Sequence, residues 1–450
     1  MTILAVDFGS TFTKGVLLAD DGAVLGTAAT VTTGTQRRGD ILDGYRELRR
    51  ALEVADGVAV HACSSAGGGL RLAVVGYERT VTAQAGHRVG LSAGAKVVHV
   101  AAGELSTDDA AAVRAARPDM VLLVGGTDGG NADVLLHNAA RLAKVAIGGH
   151  GDHAVPVVVA GNVDAREEAA SLLRATGRPV VLADNVLPQI GVIAPESARA
   201  AIRAAFLRHV IGGKGLSRDP AFGAMVEAAT PDVVLRGVEV LAAVEGGGDV
   251  LVVDIGGATT DVYSCLTPEG EDATLRKDVV APLWHARTVE GDLGMRWNAV
   301  HVIEAAEAEH LLDASPDTDA LRAYAVRVHE RPDSLPVDDA ERALDLELAR
   351  LAALVAVRRH ARPAQPTESP RPLANVTTLI GSGGVLRHAD EAGRSRVLGA
   401  VLADHAGGWK VPRAASATVD TAYLLFAVGL LADRKPELAR ALATQVRHTP

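Results

Sequence analysis

The chain has 450 residues, too many for one ordinary hydrophobic core, so two or three domains are expected. Hydrophobic residues make up 48% and charged residues 22%, the balance of a soluble globular protein, and a formal net charge of −10 argues against a basic face for DNA or RNA. Two cysteines, Cys63 and Cys265, far apart in sequence, do not read as a secreted disulfide framework and point to a reducing cytoplasm.

The N-terminus, Met1-Thr2-Ile3-Leu4-Ala5-Val6-Asp7, lacks the basic start and cleavage site of a signal peptide. Its apolar run reads as a strand that enters Phe8-Gly9-Ser10-Thr11-Phe12-Thr13-Lys14, and residues 15–19 return as a second strand. Residues 40–55 are predicted helical, with Ile41, Tyr45, Leu48 and Leu52 on one face. Residues 58–65 read as a strand entering a Gly67-Gly68-Gly69 loop. From about 81 to 188, apolar strands at 97–100, 120–124, 156–160 and 179–183 alternate with helices, the pattern of βαβ units around a buried parallel sheet. This stretch is predicted to be an α/β insertion in a larger fold.

A helix is predicted over 231–244. The strand at 249–254 then enters a second turn, Asp254-Ile255-Gly256-Gly257-Ala258-Thr259-Thr260-Asp261, and 262–265 returns. Residues 338–362 form a strong helix signal, acidic at the start and basic at the end. Residues 362–372 read as a linker or exposed loop, and the strand at 376–380 meets Gly381-Ser382-Gly383-Gly384. The last helices are predicted to begin near Val419 and Pro436. The longest apolar run, 422–432, is too short to span a bilayer, so no membrane segment is expected.

Each acidic turn offers what a polyphosphate needs. Glycines let backbone N–H groups approach, Ser and Thr add donors, and a strand-end aspartate suits the water shell of Mg²⁺. Lys14 adds a positive charge to the first turn. The third element, Gly381-Ser382-Gly383-Gly384, lets a flat ring lie on bare backbone.

In this order the motifs resemble the actin/Hsp70/sugar-kinase superfamily, with 230–236 as its first connecting helix and 420–423 opening the second. More narrowly the chain resembles the glutamate mutase-associated MutL family, which is distinct from the mismatch-repair protein of that name. The matching stretches are 7–14, 63–71, Gly125-Gly126-Thr127-Asp128-Gly129-Gly130-Asn131, 254–261, 290–297 and 381–384. The resemblance implies a two-lobed actin-like ATPase of ribonuclease H-like repeats with an inserted parallel α/β subdomain. The expected N-terminal lobe is 1–240 with its insertion at about 83–210, and the C-terminal lobe 241–450 with a helical insertion at about 298–365.

It further implies ATP with Mg²⁺ on Asp7 and Asp254, and phosphate contacts from Gly9, Ser10, Thr11, Lys14, Gly256, Gly257, Thr259 and Thr260. Gly381, Ser382, Gly383 and Gly384 would lie beside adenosine, and Asp254 and Thr230 would serve hydrolysis. Thr230 stands where related chaperones carry Glu; a threonine positions water but is a poor base, so slow turnover is expected. The implied role is an accessory protein that protects or reactivates an adenosylcobalamin-dependent mutase, with cobalamin reached only through that partner.

A small-molecule kinase on the same ATP site is the alternative, with Asp292 as its candidate base, and a nucleotide-binding scaffold without turnover is another. Gly125, Gly126, Thr127, Asp128 and Asn131 follow a buried strand and precede a helix, which suits either a partner or second ligand or a plain tight turn capped by Asn131. His150 and His153 lack further patterned ligands and read as a solvated loop.

Overall fold

The computed structural model of the chain describes residues 2–34, 39–66, 70–78, 82–93, 95–145, 147, 154–211, 215–244, 248–267, 285–363, 370–405, 411–412 and 414–448. The Gly67-Gly68-Gly69 loop, His150 and His153 lie outside them.

The first half opens with β1 (Thr2–Phe8), β2 (Phe12–Ala19), β3 (Val24–Val31), α1 (Ile41–Ala51) and β4 (Ala59–Ser64). Helix α1 starts where Asp40 caps it and Asp43 returns the bond, and it buries Ile41, Leu42, Tyr45 and Leu48. An inserted unit follows: β5 (Arg71–Gly76), α2 (Thr82–Ser92), β6 (Lys96–Ala102), α3 (Thr107–Ala115), β7 (Met120–Leu123), α4 (Asp133–Lys144), β8 (Val157–Val159), α5 (Arg166–Arg174), β9 (Val180–Leu182) and α6 (Glu196–Ala205). The half closes with α7 (Pro220–Met225), β10 (Val226–Ala229) and α8 (Thr230–Ala243).

The second half repeats the plan with β11 (Val250–Ile255), β12 (Thr260–Cys265), β13 (His285–Glu290), α9 (Ala299–Ala308), α10 (Pro316–Glu330), α11 (Asp339–Ala361), β14 (Thr378–Ser382), α12 (Gly384–His388), α13 (Glu391–Ala403), β15 (Ser416–Val419), α14 (Leu424–Leu431) and α15 (Pro436–Arg447). The two half-sheets have the same strand order, β3-β2-β1-β4-β10 and β13-β12-β11-β14-β15. In each, the first three strands are antiparallel and the fourth and fifth run parallel to the first. This is the two-lobed, actin-like doubling of a ribonuclease H-like sheet. The third sheet, β6-β5-β7-β8-β9, is wholly parallel.

Two placements in the sequence reading move. The inserted sheet starts with β5 at Arg71, ahead of the expected 83, because its apolar run directly follows a Gly loop and is too short to assign by period. Residues 416–419 form strand β15, and the helix expected near Val419 starts at Leu424.

Strand alternation decides what meets between the halves. Along β1, Leu4, Val6 and Phe8 enter the first half's own core, while Ile3 and Ala5 join a cluster shared with the other half. Along β11, Leu251, Val253 and Ile255 stay in the second half, while Val250 and Val252 join the shared cluster. Helices α8, α14 and α15 fill this shared core with Leu235, Leu241, Phe426, Leu431 and Leu442. No helix among the described residues is long and apolar enough to cross a membrane.

Candidate functional site

The period of two places Asp7 on the face of Ile3 and Ala5, and Asp254 on the face of Val250 and Val252. Both aspartates therefore stand at the ends of central strands, aimed between the halves. The same rule puts Lys14, opposite Asp7 in the ladder, on the face of Val16 and Leu18. The two turns touch: a Cβ on Gly257 would lie 3.4 Å from Thr11 Oγ1. Each tip closes alike, with Gly9 N–H donating to Phe12 O at 3.1 Å and Gly256 N–H to Thr259 O at 2.9 Å. Ser10 lies on the first of these tips, between Gly9 and Thr11.

Charge is concentrated here. Asp7 is buried, and burial together with Asp254 lifts its pKa against the pull of Lys14, Thr230 and Cys63. The Thr230 hydroxyl donates to Asp7 Oδ1 at 2.5 Å, and the Cys63 thiol lies 3.6 Å from the same oxygen. Burial works against the charge on Lys14, but Tyr423, Asp7, Asp254 and Asp420 outweigh it and hold the amine above its ordinary value. Among the described residues the Lys14 ammonium has no carboxylate within ion-pairing distance; it lies 4.4 Å from the centre of the Tyr423 ring.

Asp420 and Tyr423 were not among the expected site residues. A sequence signal for Asp420 exists, since Val-Asp recurs at the carboxyl ends of three strands: Asp7 and Asp254 are the last residue but one of β1 and β11, and Asp420 directly follows β15. The Asp420 carboxylate caps α14, accepting from Leu424 N at 2.8 Å and Leu425 N at 2.9 Å.

The third element abuts the second turn. Ser382 pairs in register with Asp254, and a Cβ on Gly383, whose φ is +107°, would lie 2.2 Å from Ile255 O. Only glycine permits that approach. Gly381 packs under Leu386 and Leu398, and Gly384 faces open space. Thr259 donates to Asp261 at 3.0 Å, while Arg287 donates to the other Asp261 oxygen at 2.6 Å.

Thr260 departs from expectation. Its hydroxyl is fully buried and donates to Leu293 O at 2.6 Å, into the second half's own core, because it shares the inward face of Val262. Asp292, the candidate kinase base, is held by Arg359 together with Glu290, at 2.8 and 2.9 Å. The segment 290–298 lies against the second turn: Met295 N bonds Gly256 O, Arg296 N and Trp297 N bond Gly257 O, and Asn298 Nδ2 bonds both Ala258 O and Gly291 O.

The loop after β7 is elsewhere, at the carboxyl edge of the inserted sheet. Its polar groups hold one another: Asn185 donates to Gly126 O and Asp128 Oδ1, Asp128 accepts from Val163 N, Asn162 donates to Gly130 O, and Asn131 accepts from Asp133 N. Thr127 lies within this loop, its Oγ1 2.6 Å from where a Cβ on Gly130 would sit. Val163, Ile190 and Val192 are exposed beside this loop, with Pro188 O accepting from Asp128 N.

Magnesium commonly uses one or two carboxylates plus phosphate oxygens. Asp7 and Asp254 fit that demand, and no group of three metal-binding side chains occurs among the described residues.

A family model described as MutL protein matches residues 3–446. Protein MutL of Clostridium tetanomorphum is 34% identical over 461 residues, covering 97% of each chain. Among solved structures, nucleotide-free acetone carboxylase matches with 13% identity and a TM-score of 0.40, covering 96% of this chain and 70% of that one. A ROK-family glucokinase from Streptomyces griseus in complex with glucose and AMPPNP matches with 13% identity and a TM-score of 0.32, over 99% of each chain. The activator of 2-hydroxyisocaproyl-CoA dehydratase from Clostridium difficile with bound ADPNP matches at 10% identity and a TM-score of 0.30, over 99% and 97%. Structural likenesses this distant carry no argument about activity.

Proposed function

The chain belongs to the MutL protein family, and from that premise we propose that it is an ATP-binding accessory protein that protects or reactivates an adenosylcobalamin-dependent mutase of the glutamate mutase kind. Closure of the halves on nucleotide, with slow hydrolysis, is the proposed drive. The observation that carries the nucleotide part is Lys14: a half-buried ammonium, free of ion pairs among the described residues, facing Asp7, Asp254 and Asp420 where the two turns touch. A polyphosphate with Mg²⁺ supplies the anion that Lys14 lacks and the cation that the aspartates lack.

In this reading Asp7 and Asp254 orient metal-bound water. Backbone N–H groups of Ser10, Thr11 and Gly257 meet phosphates, Gly9, Gly256 and Thr259 shape the two tips through their own hydrogen bonds, and Ser382, Gly383 and Gly384 flank the base. Thr230 holds Asp7 by its hydroxyl and so acts through that carboxylate. Binding to both turns favours the closed state, because only there do they share one ligand. The Gly125–Asn131 loop with exposed Ile190 and Val192 is the proposed partner-facing part of the insertion.

The test is titration of the purified protein with Mg-AMPPNP, alone and as Asp7→Asn or Asp254→Asn. Weakening of roughly 10- to 100-fold in each variant is expected. Inactivated mutase holoenzyme incubated with the protein and Mg-ATP should regain activity; no recovery and no complex would end the accessory role.

A further inference from the structure

Tyr423 sits in the left-handed region, at φ 55° and ψ 41°, immediately before α14. An aromatic side chain rarely adopts that backbone, and the fold holds it there from both sides in sequence. Asp420 binds the N–H groups of Leu424 and Leu425, so the turn from β15 into α14 is pinned around the tyrosine. The ring is buried, with Lys14 Nζ 4.4 Å and the Arg387 guanidinium 4.3 Å from its centre. Arg387, at the end of α12 in the second half, also donates to Thr27 Oγ1 of β3 in the first half at 3.0 Å.

We propose that Tyr423 is a positioning residue for Lys14: its ring holds the ammonium in the cleft by a cation–π contact and thereby keeps it out of an ion pair with the surrounding aspartates. This rests on the nucleotide site proposed above. The physical point is that a ring face attracts the charge without accepting a conventional hydrogen bond from it. No N–H is then committed to a carboxylate, and the donors not turned to the ring face stay available for phosphate oxygens. Without the ring, the amine falls onto one of the three carboxylates that face it, Asp7, Asp254 or Asp420, and a phosphate must first break that pair. Arg387 over the same ring and bonded across to Thr27 ties this placement to the contact between halves.

The experiment compares Mg-AMPPNP and adenosine binding by the full-length wild type, Y423F, Y423L, K14M and the K14M/Y423L double variant. Y423F keeps the ring and is expected to bind as wild type does. Y423L is expected to weaken Mg-AMPPNP by roughly 3- to 30-fold, the range set by cation–π strengths, while adenosine affinity is unchanged. In the K14M background, Y423L is expected to add nothing.

A second measurement needs no substitution at Tyr423. With ε-¹³C-lysine labelling, the Lys14 signal (identified by its loss in K14M) should carry a ring-current shift. Full Y423L affinity, a Y423L defect that persists in K14M, or a Lys14 signal without the ring-current shift overturns the proposal. No Mg-AMPPNP binding by the wild type instead removes the nucleotide reading itself.

Discussion

At the scale of single residues, the two aspartates aimed between the halves are legible in the sequence itself, and the reason is period two. Ile3, Ala5 and Asp7 fall on one face of a strand, as do Val250, Val252 and Asp254, so an acidic residue at the end of an apolar row has to point where that row points. Thr260 obeys the same rule in the other direction and turns into the second half's own core, to Leu293 O. Tyr423 is beyond such reasoning, because a left-handed tyrosine has no sequence signal to distinguish it from an ordinary helix start. The residue scale also carries a pH expectation. Burial lifts the Asp7 pKa above the ordinary aspartate value, and the Thr230 hydroxyl partly counters that lift. Metal-bound water needs the carboxylate form, so Mg-AMPPNP affinity is expected to fall as pH drops through this raised pKa and to recover above it. Thr230→Val removes a donor that favours the charged form. Its affinity-versus-pH curve should therefore shift to higher pH. Calorimetric titration across pH reads the shift, and superimposable curves would show that Thr230 does not act through Asp7.

At the scale of elements, long periodic segments are readable and short ones are not. Helix α11 carries an Asp338 cap, acidic Asp339 and Glu341 at its start and Arg358, Arg359 and His360 at its end, and it lies where 338–362 was expected. Strands β5 and β15 have six and four residues, too few to show whether their period is two or 3.6. The contact between α8 and α14 is equally hidden, since it depends on two glycines separated by almost two hundred residues of chain. A Cβ on Gly429 would lie 1.8 Å from Val233 O and 2.8 Å from Gly237 N, and one on Gly237 would lie 2.4 Å from Leu425 O. The two connecting helices therefore cross backbone to backbone inside the core that the halves share. Gly429→Ala has to force them apart and is expected to cost about 3 kcal/mol, the upper end of overpacking. A lower denaturant midpoint with an unchanged slope would show this. A midpoint equal to that of the wild type would mean that the crossing adapts without strain.

At the scale of the whole molecule, the proposed role requires the inserted sheet to respond to the nucleotide site proposed between the two other sheets. The segment 290–298 supplies a physical connection. It bonds the carbonyls of Gly256, Gly257 and Ala258 on the second turn, and Arg359 anchors its acidic end. On its other side, a Cβ on Gly291 would lie 2.6 Å from Lys96 Nζ, at the start of β6 in the insertion. If the second turn takes phosphate as proposed, its shift would reach Lys96 through one short, internally bonded piece of chain. Gly291→Val tests this without damaging the turn, because the atom it meets is the far end of a flexible side chain and can swing away. Nucleotide affinity is expected to stay within roughly twofold of wild type, since no contact to the proposed phosphate site is lost. The response of the insertion should differ. Hydrogen exchange of the β6 amides is expected to slow on adding Mg-AMPPNP to the wild type, and this slowing should shrink in Gly291→Val. Equal protection in both proteins would mean that coupling does not run through Gly291. The first outcome makes the insertion a reader of the nucleotide state, which is what an accessory protein needs if ATP is to change its hold on another enzyme.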